Sequence, residues 1–356
     1  MATKEDFAKQ LLTTFNQGAL CLMISVGHRT GLFDTMAKMP PSTSDGIAEA
    51  AKLQERYVRE WLGAMVTGGV VELDATTGHY SLPEAHAASL TRAAGSDNMA
   101  RFAQYIPEMG SVESLVVDCF RNGGGVPYEK YARFHEIMAE HGEQFVNAAW
   151  ESMILPLAPG LAERLRDGIR VLDVGCGRGL KLIRMRELFP NSRFEGVDFS
   201  AEAIAFGRET AAARGLSNVA LRVADATEPL EKNAYDLVLT LDAIHDQGQP
   251  LRVLQNIRQA LKPDGVYLMQ EIKGSSNHRD NMDHPIGTAL YAISCMHCMA
   301  VSLAQGGEGL GAMWGEEKTR EYLLRAGFTS VEKHELPNDI QNNWYVVRKD
   351  PDEQIR

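Results

Sequence analysis

The spacing of apolar positions predicts helices and a short hairpin in the first 90 residues. Apolar side chains recur at helical intervals over residues 7–36, with an interruption at Gly31, and again over residues 55–68. Residues 70–82 then form two short apolar runs around a turn that ends in glycine, which is typical of a hairpin. Helices followed by a hairpin in this order predict a winged helix-turn-helix domain over residues 1–90.

The next region, residues 91–160, keeps a helical pattern but differs in composition. It is rich in methionine and aromatic residues and is interrupted by three glycines at 123–125. We expect this region to act as a helical linker that also caps the substrate.

The third region, residues 161–356, alternates short apolar strands with helices. This alternation is the signature of a parallel, doubly wound sheet. The predicted fold class is therefore α/β, with a Rossmann-like sheet behind an N-terminal, mainly helical winged-helix domain. The predicted strands are 170–174, 193–197, 219–223, 235–241 and 265–271, with 330–336 and 343–348 closing one edge.

Composition and charge narrow the classes of function. The chain has 356 residues and a formal net charge of −11, and this acidic balance argues against binding to a phosphate backbone, which needs a basic face. Apolar runs such as Tyr235–Leu241 are far shorter than the ~20 residues of a membrane span. The first ten residues carry charges of both signs, unlike a signal peptide, and five scattered cysteines give no disulfide framework. We therefore expect a cytoplasmic protein without a membrane or nucleic-acid partner.

A glycine-rich segment at residues 173–179, Asp-Val-Gly-Cys-Gly-Arg-Gly, joins a buried strand to a helix. Glycines are needed at Gly175 and Gly177 because the backbone must turn sharply and let a ligand approach closely. The G-x-G-x-G spacing differs from the G-x-G-x-x-G of dinucleotide-binding folds, which counts against a dehydrogenase. A loop with this spacing suits a ligand that has no phosphate, such as S-adenosylmethionine (SAM). The Asp173 carboxylate would suit the positively charged amino group of SAM.

Two further acidic residues follow strands where such a ligand needs them. Asp198 closes the second strand, 25 residues after Asp173, and a carboxylate at that strand end can accept both ribose hydroxyls. Asp225 follows the third strand and is placed to accept from the adenine amino group. Phe199 and Ala226, the next residues in these two segments, are expected beside the same ligand.

These segments resemble the successive motifs of the class I SAM-dependent methyltransferases, over about residues 160–350. The resemblance implies a domain that binds SAM and transfers its methyl group. Residues 91–160 and 285–315 are expected to form a helical, largely apolar pocket, so the methyl acceptor is expected to be a small molecule.

A histidine and an aspartate follow the fourth predicted strand. His245 and Asp246 come shortly after residues 235–241, at the sheet edge where doubly wound folds bind ligands. An imidazole titrates near pH ~6.5, so His245 can take a proton from a substrate hydroxyl. The pair resembles the His-Asp-Trp segment of plant-type small-molecule O-methyltransferases, whose histidine is the general base, although Gln247 replaces the tryptophan here. We predict His245 as general base with Asp246 beside it; a histidine that caps the next helix is the alternative.

A different mechanism would use a metal ion. Residues 291–299, Tyr-Ala-Ile-Ser-Cys-Met-His-Cys-Met, predict a helix at the mouth of the active site. Bacterial 2-oxo-acid C-methyltransferases hold a metal between an aspartate after strand four and a histidine in such a helix, and Asp246 and His297 resemble that pair. A divalent or ferric ion would then prepare an oxo acid for C-methylation. A hydrogen-bonded pocket histidine, with ordinary thiols at Cys295 and Cys298, is the other interpretation.

The winged helix has two candidate roles. Over residues 1–85 ten acidic residues outnumber seven basic ones, and the helix at 55–68 has a mixed rather than a basic face. This charge disfavours a DNA-binding regulator that senses SAM. The arrangement resembles the dimerisation domain of plant-type O-methyltransferases, and the apolar helix at 19–36 is expected to help form a homodimer.

Overall fold

Contacts within the chain divide it into two compact units, one ending at Gly110 and one beginning at Ser111. The structure is a computed structural model that describes residues 3–337 and 339–349 (of 141 and 143–149, the backbone alone). The sequence-based domain boundaries near residues 90 and 160 remain predictions.

The first unit has the predicted order of helices and hairpin. Gly31, with a left-handed φ of 74°, ends the long first helix and allows the second to begin. The indole of Trp61 packs edge-on against Phe33, with ring centroids 5.3 Å apart, and its N–H donates to the Met23 carbonyl. The elements are α1 (Lys4–Thr30), α2 (Leu32–Met36), α3 (Ser44–Ala51), α4 (Glu55–Thr67), β1 (Glu72–Leu73), β2 (Tyr80–Ser81), α5 (Glu84–Leu90) and α6 (Tyr105–Ser111), the last crossing into the second unit.

The second unit contains the large sheet and the helices that flank it. Its elements before and within the parallel part of the sheet are α7 (Glu113–Asn122), α8 (Phe134–Ala149), α9 (Leu161–Asp167), β3 (Arg170–Val174), α10 (Leu180–Leu188), β4 (Arg193–Asp198), α11 (Ala201–Ala213), β5 (Val219–Val223), β6 (Tyr235–Leu241), α12 (Pro250–Ala260) and β7 (Leu261–Ile272). The elements after it are α13 (Gly287–Ile293), α14 (Met299–Ala304), α15 (Gly315–Arg325), β8 (Ser330–His334) and β9 (Asn342–Arg348).

The sheet has seven strands in the order β5-β4-β3-β6-β7-β9-β8, parallel from β5 to β7 and antiparallel at the β9-β8 edge. This confirms the predicted doubly wound α/β sheet. The direction in which the chain adds strands reverses between β3 and β6. Strand β7 begins earlier than predicted, at Leu261 rather than near 265, because Leu261 pairs with Tyr235 of β6 ahead of a register shift, after which pairing resumes at Val266.

Side chains of the parallel strands alternate between two hydrophobic layers. Leu237 and Leu239 pack on one face with α9 and α10, whereas Leu172 and Val238 pack on the other face with α12 and α15. Because both faces are covered, ligands can reach the sheet only at its edges and strand ends. The carboxyl ends of the parallel strands are therefore the place to look for a site.

One helical run among the described residues, Gly287–Ala304, is long and apolar enough to cross a membrane by length and composition. Its Leu290, His297 and Ser302 are buried in the fold, as in an internal helix. Between α13 and α14 this run contains a π-helical turn, Ser294–Cys298.

Candidate active site

A cavity of about 350 Å³ opens at the carboxyl ends of β3, β4 and β6. Its walls come from the glycine loop after β3, the residues that follow β4, β5 and β6, and helix α8. Because the strand order reverses between β3 and β6, this is the switch point at which open α/β sheets bind ligands. The volume suits a small-molecule site.

The loop after β3 depends on glycine for space and for backbone conformation. Gly175 and Gly177 have φ values of 74° and 54°, which favour glycine. A Cβ atom at Gly175 would lie 2.6 Å from that of Ala243, whereas one at Gly177 would meet nothing nearer than His135 at 3.8 Å. Both glycines lie on the cavity wall, so the loop can bring its backbone against a ligand.

Asp198 ties this loop to the end of β4. Its Oδ2 accepts a hydrogen bond from the Gly177 N–H at 2.8 Å, and its Oδ1 accepts one from the Ser200 N–H at 2.9 Å. A carboxylate has about four acceptor positions, so both oxygens keep acceptor capacity toward the cavity that they line. Phe199 lies on the same wall with 45% of its surface exposed.

Asp225 and Ala226 line the cavity beyond the end of β5. Oδ1 of Asp225 accepts from both the N–H and the hydroxyl of Thr227, each at 2.8 Å. These bonds fix the carboxylate and leave Oδ2 available to a donor from a ligand. The structure thus brings the predicted residues of three strand ends to one cavity, while their contacts with a cofactor stay predictions.

Asp173 is placed differently from the other predicted cofactor residues. It is fully buried, is not part of the described cavity wall, and neither of its oxygens has a hydrogen-bond partner among the described residues. Burial raises the pKa of its carboxyl to about 6, with Lys181 opposing and Asp198 adding to that rise. This arrangement does not favour direct contact between Asp173 and the amino group of a ligand. The contact stays a prediction.

His245 is paired with a buried glutamate. Its Nδ1 lies 2.6 Å from Oε2 of Glu271, which also accepts from the Trp314 indole N–H at 3.1 Å. Burial alone would lower the pKa of the imidazole, but Glu271 and the Cys298 thiol together raise it well above 6.5. His245 is 2% exposed. Among the described residues, it is not one of those that line the cavity. Its role as general base stays a prediction.

Two carboxyl groups near His245 do lie on the cavity wall. Burial raises the pKa of Asp246 to about 7, with His245 opposing and Glu271 adding to the rise. Burial and the Glu271 carboxylate raise the pKa of Asp242 to about 8. Groups with such values exchange protons near neutral pH, which suits acid–base work or the binding of a cation.

Aromatic side chains form a further part of the cavity lining, here called the aromatic wall. Tyr128 stacks on His135 with ring centroids 4.8 Å apart and meets Phe199 edge-on at 5.1 Å. Phe134 and Met138, from the first turns of α8, continue this wall. Its composition suits a flat or apolar acceptor.

His297, in the π-helical turn, lies against the aromatic residues. Its ring stacks on Phe134 at 3.5 Å and 9° and meets Tyr131 edge-on at 4.6 Å. The residue is 1% exposed, and neither ring nitrogen has a hydrogen-bond partner within the described parts of the chain. Burial, with His245 and His135 adding, lowers the pKa of the imidazole well below 6.5, so the ring is neutral.

The predicted metal pair does not assemble into a metal site. Within residues 3–337 and 339–349, no three His, Cys, Asp or Glu side chains converge in a way that could hold an ion. Asp246 lies on the cavity wall, whereas His297 is enclosed by aromatic rings. The donor set does not fit a metal ion, and we derive no chemical step through one.

Two family descriptions match the chain. Residues 18–92 match an Rv2258c-like winged HTH domain, and residues 165–326 match a methyltransferase domain. Residues 165–326 are a methyltransferase domain. This confirms the prediction of a winged helix followed by a methyltransferase domain.

Individual known proteins agree with this assignment. (S)-coclaurine N-methyltransferase of Thalictrum flavum subsp. glaucum is 29% identical over 109 residues, which cover 31% of this chain and 30% of that enzyme. The first three curated relatives are matched over 30% to 64% of their own length.

Solved structures share the whole fold at lower identity. Human N-acetylserotonin methyltransferase, in complex with SAM, matches with a TM-score of 0.69 at 17% identity, over 98% of this chain and all of that one. The O-methyltransferase NcsB1 from neocarzinostatin biosynthesis, in complex with SAM and 2-hydroxy-5-methyl naphthoic acid, matches with a TM-score of 0.60 at 16% identity, over 92% and 95% of the two chains. This similarity shows the fold of the two-domain chain.

Sequence reasoning missed several residues of the cavity and its surroundings. Glu271 lies 26 residues after its partner His245, at the end of a strand whose pattern predicts only burial. The signal in the sequence was a charged residue at the end of a mostly apolar strand, because a buried charge needs a partner. Asp242 and the aromatic wall had no motif of their own.

Proposed function

We propose that this protein transfers the methyl group of SAM to a small-molecule acceptor held in the cavity of the second unit. The observation that carries the proposal is that Gly175, Asp198 and Asp225 share one cavity with Asp246 and an aromatic wall. SAM, when bound, supplies a methyl group on a positively charged sulfur. The protein's task is then to position an acceptor and to take up its proton.

The cofactor is held, in this proposal, by the residues at the ends of three strands. Asp198 accepts from the ribose hydroxyls and Asp225 from the adenine amino group, while the glycine loop gives the close backbone approach. The fixed hydrogen bonds of both carboxylates support these roles, because they hold the acceptors in place before the ligand arrives.

The acceptor lies, in this proposal, between the aromatic wall and Asp246. Tyr128 and Phe134 give the apolar surface, and the Asp246 carboxyl is the proton acceptor. Two features favour Asp246 over His245 for this step: its place on the cavity wall, and a pKa of about 7. His245, held by Glu271, then acts as a positioning residue for the segment that carries Asp246.

The proposal is tested by following the label of methyl-tritiated SAM. The intact protein is incubated with labelled SAM and a metabolite extract, and we expect tritium to appear in a compound of low molecular mass. A protein that binds SAM without consuming it, and that is retained on DNA at low salt, would contradict the proposal in favour of a regulator. Alkylation of macromolecules alone would contradict the small-molecule part.

The winged helix serves, in this proposal, in dimerisation. Helix α4 is the helix that would enter a DNA groove in a winged helix-turn-helix, and it buries Trp61. Its exposed arginines pair with acidic residues of the same helix, Arg56 with Glu60 and Arg59 with Glu55. Such a face offers no excess positive charge to a phosphate backbone.

The cytoplasmic location expected from the sequence stays a prediction.

The first four turns of α1 present an apolar stripe to solvent. Phe7, Leu11 and Phe15 recur at a spacing of four residues on one side, with Phe15 67% exposed, and Leu22 continues the stripe. Exposed apolar stripes of this kind mark association surfaces. A second copy is the occupant that we propose, because a helix meeting its own copy buries the same stripe on both subunits.

Replacing Phe15 by glutamate is expected to convert a dimer into a monomer, since the charge would be buried at the centre of the stripe. Thr13→Glu, on the opposite side of α1, is the matched control and should remain dimeric. Sedimentation equilibrium of both variants measures the change. A monomeric parent protein, or dimers in both variants, would contradict the assignment of this surface.

A further inference from the structure

One end of the cavity carries opposite charges that none of the roles above uses. Asp242 lies on the wall at the end of β6, and Lys181 lies on the wall in the first turn of α10. Sequence reasoning gave neither residue a role. Burial raises the pKa of Asp242, and the charge of Lys181 opposes that rise, so the two groups on this wall interact electrostatically.

The Asp242 carboxyl is held in one place by its backbone and by two strands. Its φ of 53° is left-handed, and its N–H donates to the Gln270 carbonyl at 3.1 Å. The Gln270 side chain donates to Oδ2 at 3.4 Å. Asn342, oriented so that both its amide atoms have partners, donates to Oδ1 at 3.2 Å. A fixed acceptor on a cavity wall is what recognition of a cation needs.

Asp242 is also next to the start of the glycine loop. The neighbouring residue Ala243 is so close to Gly175 that a Cβ there would lie 2.6 Å away. Asp173, the residue first expected to meet a cation, has both oxygens buried away from the described cavity wall. Among the carboxylates around the loop, Asp242 is therefore better placed than Asp173 to meet a positive charge.

Lys181 is a cation without a counter-ion. It is half-buried, and no ion pair or side-chain hydrogen bond engages it in the part of the chain that the structure describes. Its nearby carboxylates, Asp173 and Asp242, feel its charge but make no ion pair with it within those residues. An ammonium group on a cavity wall is a ready partner for a carboxylate of the ligand.

We propose that Asp242 and Lys181 recognise the two charges of the amino-acid end of the cofactor, Asp242 its ammonium group and Lys181 its carboxylate. The inference rests on the proposed function, because it takes SAM as the ligand of this cavity. The pKa of Asp242, which burial raises to about 8, agrees with it, because an ammonium group beside this carboxyl would favour the ionised form.

Three adenosyl ligands that differ in their ammonium and carboxylate groups distinguish the contact made by Asp242 from the contact made by Lys181. S-adenosylhomocysteine has both groups, its decarboxylated analogue S-adenosyl-3-thiopropylamine has only the ammonium group, and 5′-methylthioadenosine has neither. We expect Asp242→Asn to weaken the first two by at least about tenfold, the effect of losing a hydrogen bond to a charged group, and to leave the third within about twofold. Lys181→Met should weaken S-adenosylhomocysteine alone. Isothermal titration of the intact protein measures all three.

Asparagine is the replacement of choice because it keeps the shape of Asp242 and tolerates a left-handed φ. Binding of 5′-methylthioadenosine shows that each variant is folded at the site. Asp225→Asn, at the proposed adenine position, is the matched control and should weaken all three ligands alike.

Two results would overturn the inference while leaving the proposed function intact: unchanged S-adenosylhomocysteine affinity in Asp242→Asn and Lys181→Met, or equal losses for all three ligands. Failure of the unaltered protein to bind S-adenosylhomocysteine would instead overturn the proposed function and the inference with it. Should Asp242→Asn fail to bind 5′-methylthioadenosine, the selective loss in Lys181→Met decides the matter.

Discussion

Asp198→Ala is expected to weaken the binding of SAM by about a hundredfold or more. Asp198 is proposed to accept from two ribose hydroxyls, and hydrogen bonds to a charged group contribute ~1.5–3 kcal/mol each, while ~1.4 kcal/mol is a tenfold change in affinity. The substitution also removes the acceptor of the Gly177 N–H, so the glycine loop loses a fixed point. Isothermal titration with SAM measures the effect.

Asp198→Asn is the graded control for this prediction. The amide keeps one oxygen acceptor and the shape of the side chain, so its loss should be smaller than that of alanine. Thermal unfolding of both variants shows whether the domain is intact. An unchanged SAM affinity in a folded Asp198→Ala protein would remove the central assignment of the cofactor site.

Asp246→Asn is expected to slow methyl transfer by ~10²–10⁴-fold, the usual cost of losing a positioned base, with little change in the affinity for S-adenosylhomocysteine. The pH profile gives a second readout. A base works when ionised, and burial raises the pKa of Asp246 to about 7. The rate of the unaltered enzyme should therefore fall as the pH drops below about 7, and the Asn variant should lack that inflection.

His245→Gln is the comparison that separates the two candidate bases. Glutamine can still donate to Glu271, the partner of Nδ1, so the segment that carries Asp246 should keep its place and most of the activity. The opposite result, a loss of the inflection in His245→Gln and its persistence in Asp246→Asn, would return the base role to the histidine, as the sequence resemblance implies.

The part of the cavity proposed to hold the cofactor could be predicted because its sequence signals are local. A strand, a glycine turn and a helix follow one another within residues 170–188, and Asp198 and Asp225 each close a strand whose apolar pattern is clear. Parallel strands place their carboxyl ends at one edge of the sheet, so local patterns were enough to bring these residues together.

The catalytic side was less predictable because it depends on contacts between distant segments. Whether His245 faces a substrate or a buried partner depends on Glu271, and whether His297 is a ligand depends on the ring of Phe134 stacked upon it. A resemblance in chain order paired Asp246 with His297, but the three-dimensional arrangement placed one on a cavity wall and the other inside an aromatic cluster.

The π-helical turn Ser294–Cys298 has a consequence for comparing this chain with its relatives. Such a turn holds one residue more than a regular α-helix would. If a chain of the same length ran through this segment as a regular α-helix, every later side chain would rotate by about 100° around the axis. Cys298 would then swing away from His245, whose imidazole now lowers the pKa of the Cys298 thiol against the rise caused by burial. The helical form of this segment, and not only the presence of a histidine within it, therefore decides whether two alignable sequences build the same interior.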